Sequence, residues 1–177
     1  MKIEILSREE QVNYYDEILE MLIMGDEEFV PPLSARNSTT QKDLSSGEKT
    51  TNGILEYFEG MKQQRIMVAT EEGKLLAFVS FREDYTNDEI GEGDLPNIYV
   101  STLIVRPEGR GKGLTQQMYG ILFKEYEHRN IFTRTWSTNA VHIRILSKFE
   151  FETLHVLKNH RGVGIDTIYF VKRSKGV

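Results

Sequence analysis

A glycine-rich segment in the second half of the chain has the residue types of a phosphate-binding turn. Residues 105–113 read VRPEGRGKG, and they separate a run of β-branched residues from a stretch with helical periodicity. Glycines let the backbone approach a ligand closely, and the free amides and dipole of the following helix favour phosphate oxygens. Arg110 and Lys112 add positive charge. The sequence therefore predicts a phosphate-binding turn at this place.

Two common nucleotide-binding motifs do not fit the glycine spacing. A P-loop would need Gly at position 106 and Ser or Thr at position 113, where Arg106 and Gly113 stand. A dinucleotide-binding fingerprint would need its third glycine at position 114 or 116, where Leu114 and Gln116 stand. An unrelated nucleotide-phosphate binder stays open as an alternative, and it predicts that ATP stabilises the protein more than coenzyme A does.

The turn resembles the signature of the GNAT superfamily of N-acetyltransferases. That signature is Gln or Arg, two residues, Gly, one residue, and then Gly or Ala; residues 110–115 read RGKGLT, with Thr115 in the last place. The resemblance implies an α/β fold that binds acetyl-CoA as a co-substrate, with the pyrophosphate at the turn. The residues it implies for cofactor binding are Leu103, Ile104, Val105, Arg110, Gly111, Lys112, Gly113, Leu114, Thr115 and Asn139.

The resemblance extends over about residues 65–172 and leaves the catalytic groups open. Asn139 stands where the family places an Asn that contacts pantetheine. The family's frequent catalytic Tyr, which protonates the departing CoA thiolate, falls at Leu146, and we expect that side chain to lie beside the thiol. The family's Gly-Phe pair falls at Glu150 and Phe151.

Tyr99 is the catalytic candidate on the strand that leads into the turn. It alternates with Ser101, so both side chains share one face and can contact an acceptor or its proton-relay water. No Asp or Glu occurs between residues 97 and 105 to take the amine proton. His142 follows Asn139 and has an unperturbed pKa of roughly 6.5, which suits a proton shuttle or a structural role. Arg36 is a residue type that recognises a carboxylate or phosphate on an acceptor.

Periodicity predicts the elements that must hold the turn in place. A capping box at residues 7–10 predicts a helix to about residue 25 with Val12 and Ile23 on its buried face. Other helices are expected at 54–63, 114–129 and 139–149, and strands at 3–6, 66–70, 75–81, 98–105, 131–136, 153–157 and 167–171. The expected fold is a mixed, mostly antiparallel sheet of about seven strands with helices on both faces, split between strands 98–105 and 131–136.

Composition sets the remaining expectations. The 177 residues carry a formal net charge of −5, which argues against a long nucleic-acid track and is compatible with small cationic acceptors. There is no Cys, and no His spacing suits a metal, so we expect neither a thiol nucleophile nor a metal site. No apolar run approaches the roughly 20 residues of a membrane span, so we expect a cytoplasmic protein without membrane or nucleic-acid partners.

Together these features predict one domain over residues 1–177, with 1–64 on the acceptor side and 65–172 as the core that carries the acetyl-CoA motif. The predicted function is transfer of an acetyl group from acetyl-CoA to a primary amine of a small molecule or peptide by direct attack. The alternative is a CoA-binding regulatory module with little or no turnover. The acceptor, the role of the polar segment 31–53 and the oligomeric state are left open, with a homodimer among the options.

Overall fold

The computed structural model describes residues 1–44, 48–50, 52–86 and 97–174, and these residues form seven strands and five α-helices. The strands are β1 (Lys2–Ile5), β2 (Arg65–Glu71), β3 (Lys74–Tyr85), β4 (Asn97–Val105), β5 (Ile131–Trp136), β6 (Glu152–Leu157) and β7 (Thr167–Lys172). The helices are α1 (Arg8–Gln11), α2 (Tyr15–Gly25), α3 (Gly53–Lys62), α4 (Leu114–Glu125) and α5 (Ala140–Lys148). Most of the connector expected at 86–96 lies outside the described residues.

All seven strands form one sheet in the order β1-β2-β3-β4-β5-β7-β6. Only the β4–β5 pair is parallel, and the other five neighbouring pairs are antiparallel. The predicted mixed, mostly antiparallel sheet is therefore confirmed, and so is the prediction that strands 98–105 and 131–136 are neighbours. No helix in the described ranges is long and apolar enough to cross a membrane.

Helices pack on both faces of the sheet, each over its own apolar core. On the α2 face, α2 and α3 bury Ile18, Leu22 and Met61 against side chains of β2 and β3 such as Val68 and Phe78. On the α4 face, α4 and α5 bury another set, among them Met118, Leu122 and Leu146, against Met67 and Val79. Alternate residues of β2 and β3 thus serve opposite cores, as the two-residue period of a strand requires.

The first helical segment is interrupted where the sequence predicts one continuous helix. The expected capping box is present, with Glu10 N donating to Ser7 Oγ (3.3 Å) and Ser7 N donating to Glu10 Oε2 (2.8 Å). A 3₁₀ turn at Val12–Tyr14 then separates α1 from α2. Because a 3₁₀ turn has fewer residues per turn than an α-helix, it shifts the phase of the buried face. Val12 and Ile23 are each 60% exposed, so their predicted burial is wrong.

A β-bulge interrupts β4 halfway along its length. Ser80 of β3 pairs with Thr102, and the next residue of β3 pairs with Val100, so Ser101 is the extra residue. The side chains of Ser101 and Thr102 consequently lie on the same α2 face: Ser101 Oγ contacts Ser80 Oγ at 2.9 Å, and Thr102 Oγ1 contacts Tyr57 Oη at 2.7 Å. A bulge strengthens the local twist and bends the strand. Here it lies where β4 separates from β5.

The C-terminus of α5 is a Schellman motif. Phe151 N donates to Leu146 O (3.1 Å), and Glu150 N donates to Ser147 O (3.0 Å). Glu150 accordingly has a φ of 58°, in the left-handed region that favours Gly. Phe151 and Leu146 belong to the same core cluster and provide the apolar contact that accompanies this motif. The Gly-Phe pair implied by the resemblance is therefore matched in conformation, with Glu150 in the strained place.

Replacing this strained residue is expected to stabilise the fold. Glu150→Gly should raise the free energy of unfolding by about 1 kcal/mol, because Gly adopts the left-handed conformation without steric cost. The melting temperature should rise by roughly 2–4 °C for a chain of this size, as thermal unfolding can measure. Glu150→Ala is the matched control: it removes the Lys172–Glu150 ion pair (3.1 Å) and keeps the Cβ atom. A Glu150→Ala protein as stable as Glu150→Gly would contradict this explanation.

Candidate active site

The parallel pairing of β4 and β5 is short, and the strands separate beyond it. Their register runs from Ile98↔Ile131 to Val100↔Thr133 and then ends. Thr133 Oγ1 donates to Val100 O at 3.0 Å and closes the last pair. We call the gap beyond Val100 and Thr133 the split. It lies where the sequence predicts that the two strands part.

The edge of β4 that faces the split offers backbone groups without a strand partner. Arg106 N donates to Leu76 O at 2.8 Å, so the backbone groups of Arg106 point toward β3 in the antiparallel β3–β4 ladder. Alternate residues of such a ladder point their N–H and C=O groups to opposite sides. Those of Leu103 and Val105 therefore point toward the split, where β5 no longer pairs. This edge can accept an extended ligand in place of a strand.

A cavity of about 610 Å³ occupies the split and opens on the turn after β4. Its walls come from the second half of β4, the turn, the end of β5 and the start of α5. Lys112 is the one predicted cofactor residue that does not line it. The predicted cofactor residues that do line it are Leu103, Ile104, Val105, Arg110, Gly111, Gly113, Leu114, Thr115 and Asn139.

The turn at residues 110–116, which we call the glycine turn, presents a row of free amides. Gly111 and Gly113 have φ values of 77° and 70°, and Gly113 is the N-cap of α4. The first amide bonded in the helical pattern is that of Gln117, which donates to Gly113 O at 3.0 Å. Residues 110–113 form a turn, but no amide of residues 111–116 makes a backbone hydrogen bond of normal geometry. Such amides at a helix N-terminus form an anion site.

The two cationic side chains of the glycine turn are already paired with acids. Arg110 Nη2 donates to both carboxylate oxygens of Glu28, at 2.7 and 2.9 Å. Lys112 Nζ forms an ion pair with Glu71. All four side chains are exposed or nearly so, and such pairs exchange readily with other partners because they contribute at most about 1 kcal/mol. An anion at the turn would therefore compete with Glu28 for Arg110.

Asn139 is held by two hydrogen bonds at the edge of the cavity. Its Nδ2 donates to Thr135 Oγ1 (3.0 Å), and its Oδ1 accepts from His142 N (3.3 Å), which makes it the N-cap of α5. The side chain thus joins the end of β5 to the first turn of α5. Its contact with pantetheine stays a prediction.

Leu146 does not lie where the resemblance implies. It is fully buried in the core on the α4 face and lines no part of the cavity, so the expectation that it lies beside a thiol is wrong. The reason is the helix phase: from α5, the residues at the cavity are Val141, His142 and Ile145. Leu146 packs against Phe151 beneath them.

A Tyr–His contact lies at the cavity wall that α4 and α5 share. The Tyr119 hydroxyl is 3.1 Å from His142 Nε2, and His142 lines the cavity. Burial lowers the pKa of His142 to about 4, so its ring is neutral near pH 7. Burial also raises the pKa of Tyr119. The pair is therefore uncharged, and the tautomer of the imidazole decides which of the two groups donates. Tyr119 could not be singled out from the sequence, because its position fits an ordinary apolar helix stripe.

Tyr99 is 2% exposed on the α2 face of the sheet and is not among the residues that line the cavity. Its ring stacks on that of Tyr85, with 4.5 Å between centroids. Burial raises the pKa of Tyr99, so its phenol stays protonated at neutral pH and is suited to donate a hydrogen bond rather than to act as a base. Its predicted contact with the acceptor stays a prediction.

Three arginines approach the site from the α2 face, two of which the sequence analysis missed. Arg36, which it named, is 7% exposed. Arg161, between β6 and β7, is 6% exposed, and Arg134 of β5 is half-buried and lines the cavity. The three come from distant segments, so no local pattern could group them. No set of three or more acidic or His side chains in the described ranges is arranged to hold a metal ion.

The sequence model of the acetyltransferase (GNAT) family matches residues 33–151. No curated protein sequence is significantly similar to the chain. Among solved structures, an N-acetyltransferase from Staphylococcus aureus Mu50 superposes with a TM-score of 0.64, at 19% identity over 98% of each chain. The TM-score is 0.66 for a putative acetyltransferase from Salmonella typhimurium that was solved with acetyl-CoA. It is 15% identical to this chain over 100% of this chain and 95% of its own. The aminoglycoside 6'-N-acetyltransferase from Enterococcus faecium gives 0.65 at 15% identity over 97% and 96%.

The neutral state of His142 predicts a pH dependence of stability. Between about pH 4 and pH 6.5 the unfolded chain binds a proton that folded His142 does not, so the free energy of unfolding falls as the pH falls through this window. From pH 7 to pH 5 this group should account for roughly 2 kcal/mol. Urea unfolding at both pH values should show that the free energy of unfolding falls less in His142→Gln than in the wild-type protein. Equal losses in the two proteins would mean that His142 titrates normally.

Proposed function

Because the chain belongs to the acetyltransferase (GNAT) family, we propose that it transfers the acetyl group of acetyl-CoA to a primary amine of a small molecule or peptide. The observation that carries this proposal is the continuity of one cavity from the free amides of the glycine turn into the split. The cavity thus joins an anion site to an unpaired strand edge. That is the arrangement needed by a ligand with a pyrophosphate at one end and an extended arm at the other.

The chain's own residues fit two parts of acetyl-CoA, the pyrophosphate and the pantetheine arm. The amides of residues 111–116 are proposed to bind the pyrophosphate, and the positive φ of Gly113 is a conformation that glycine adopts without strain. The backbone groups of Leu103 and Val105 are placed to bind the amide groups of the pantetheine arm as a neighbouring strand would. Thr115, which replaces the family's small residue, is half-buried at the cavity wall, where its hydroxyl can donate to a phosphate oxygen.

Acetyl-CoA supplies an activated acyl group, and the protein's part is to position it and to stabilise developing charge. The neutral amine attacks the thioester carbonyl: a C–N bond forms, the C–S bond breaks, the amine gives up a proton to water, and coenzyme A departs as a thiolate that takes up a proton from water. The N–H of Leu103 points into the split and is the group we assign to the carbonyl oxygen, where negative charge develops. No covalent enzyme intermediate is needed, in keeping with a chain that has no Cys.

The acceptor is proposed to arrive from the α2 face, with residues 1–64 forming its side of the site and 65–172 forming the acetyl-CoA core. Tyr99 is proposed to contact the acceptor or its proton-relay water as a hydrogen-bond donor. The Enterococcus faecium structure is an aminoglycoside 6'-N-acetyltransferase, which supports an amine acceptor in general terms. No observation on the described residues favours the alternative of a CoA-binding module without turnover.

A screen of primary amines with acetyl-CoA, read by release of free thiol, tests the proposal. We expect amine-dependent thiol release and an acetylated product of matching mass. Coenzyme A that binds tightly while no amine in a broad panel is acetylated would contradict it. Stabilisation by ATP greater than that by coenzyme A would favour the unrelated nucleotide binder.

The assignment of the glycine turn predicts a local loss of binding. Gly113→Glu should weaken coenzyme A binding at least tenfold, or about 1.4 kcal/mol, because it places a side chain and a negative charge where the pyrophosphate must lie. Calorimetry measures the loss, and the unliganded melting temperature shows whether the fold persists. Gly73→Glu is the matched control, since Gly73 also has a positive φ (80°), a Cβ atom there meets nothing within 4 Å, and it lies outside the cavity lining. Wild-type affinity in a folded Gly113→Glu protein would remove the assignment.

The ion pair between Arg110 and Glu28 predicts a gain of binding. Glu28 lines the cavity, so Glu28→Gln removes a negative charge near the cofactor and frees Arg110 for a phosphate. The dissociation constant for coenzyme A should fall by roughly threefold, and the gain should shrink at high salt. Glu127→Gln is the control and should leave the dissociation constant unchanged, because it removes the same charge from a side chain that is 63% exposed and outside the cavity lining. Weaker binding by Glu28→Gln would mean that the pair holds the turn in its binding shape.

A further inference from the structure

Three arginines, Arg36, Arg134 and Arg161, gather on the α2 face beside the split; we call them the arginine cluster. In the described part of the chain, none of the three has a carboxylate within ion-pair distance. This is unusual in a chain with a net charge of −5, whose other arginines near the cavity, Arg106 and Arg110, both pair with glutamates. Among the described residues, the cluster is thus a local excess of positive charge.

Backbone carbonyls hold the guanidinium groups close together. Val30 O accepts from Arg161 Nη1 at 2.6 Å and from Arg36 Nη2 at 3.4 Å, so these two groups share one acceptor. Arg36 also donates to Pro31 O, from Nε at 3.1 Å and from Nη2 at 2.9 Å. These neutral acceptors fix the positions of the arginines without neutralising their charge.

Arg134 brings the cluster to the wall of the cavity. Its Nη1 donates to the Tyr169 hydroxyl (3.1 Å), and its Nη2 donates to Gln41 O (2.8 Å). Arg134 itself lines the cavity, and so do Phe29 and Trp136. The other two arginines lie over these rings: Arg36 is 5.5 Å from the Phe29 ring centroid, and Arg161 is 5.7 Å from the Trp136 ring centroid. The cluster therefore lies directly behind the part of the split that an acceptor must enter.

The positive charges of Arg36 and Arg161 are held in the unliganded protein at a cost in free energy. Burial, together with the charges of Arg36 and Arg134, lowers the pKa of Arg161 to about 9, and burial lowers that of Arg36. The pKa of Arg134 is raised instead, because its burial, which acts to lower it, is outweighed by the neighbouring Tyr99 and Tyr169. Asp26 acts on the pKa of Arg36 through its charge, but its carboxylate is occupied by Ser34 N and Ser34 Oγ, each at 2.7 Å. An anion that enters the cluster would relieve this repulsion and gain charge-assisted hydrogen bonds.

We propose that the acceptor carries a carboxylate or phosphate group in addition to its amine, and that the arginine cluster binds this anionic group. The proposal rests on the proposed function and names its substrate class. Arginine suits the task because its planar donors match the oxygens of either anion. With the anion held by the cluster, the amine of a short acceptor is directed toward the Leu103 edge of the split. Polycationic amines would be repelled, in contrast to the cationic acceptors that the net charge alone suggests.

Binding of an anion can be tested without turnover, because Trp136 is the only Trp in the chain and lies in the cluster. Glutarate and inorganic phosphate, titrated at constant ionic strength, should each change its fluorescence saturably, whereas glutaramide should not. The anion that binds more tightly identifies the class. Arg134→Gln and Arg161→Gln should each weaken binding at least tenfold, while Arg173→Gln, which removes an exposed charge paired with Glu152, should not. No saturable response to either anion in the wild-type protein would overturn the proposal.

Paired acceptors test the same idea during catalysis and separate it from the proposed function. With acetyl-CoA, an amino acid should have a kcat/KM at least tenfold above that of its amide, and O-phosphoethanolamine should similarly exceed ethanolamine if phosphate is the preferred anion. Arg134→Gln or Arg161→Gln should reduce this preference by raising KM for the anionic member of the pair. Acetylation of neutral amines with no preference for the anionic partner would overturn the arginine assignment and leave acetyl transfer intact. Anion binding without acetylation of any amine would contradict acetyl transfer alone.

Discussion

The separation of two parallel strands is the constraint on which the rest of the site depends. A backbone N–H or C=O that leaves a ladder inside a protein must find another partner or stay solvated. At Val100 the last carbonyl of the pair is satisfied by the side chain of Thr133. Beyond it, Leu103 and Val105 present their backbone groups to a cavity. The bulge at Ser101 bends β4 at this same point, so the strand parts from β5 while β3 remains paired with it.

Charge is arranged differently at the two ends of the cavity. At the glycine turn the cations are exposed and paired with Glu28 and Glu71, so an incoming anion exchanges one weak pair for another and the backbone amides do most of the binding. In the arginine cluster the cations are buried or half-buried, and among the described residues they are hydrogen-bonded only to neutral acceptors, so an incoming anion would gain more from them. The first arrangement suits a cofactor that must leave after each turnover. The second suits selection among acceptors.

Local patterns in the sequence were enough to predict individual strands, the glycine turn and the helix that follows it. The strand expected at 131–136 is observed at Ile131–Trp136, and the glycine turn and its helix lie where the glycine spacing puts them. The bulge at Ser101 could not be predicted, because Ser is compatible with a regular strand and only the pairing with β3 reveals the extra residue. Leu146 was misplaced because a match by spacing does not fix which side of a helix faces a cavity. The arginine cluster depends on contacts between three segments, which no periodicity encodes.

Hydrogen exchange of the backbone amides, with and without coenzyme A, tests the central claim most directly, because it reads the groups that the claim assigns. We expect coenzyme A to slow exchange at residues 111–116 of the glycine turn and at Leu103 and Val105 on the open edge of β4. The protection should follow both ends of the cavity, since the pyrophosphate and the extended arm are bound by different amides. Unchanged exchange at these amides in protein saturated with coenzyme A would show that the cofactor binds elsewhere, and would contradict the account.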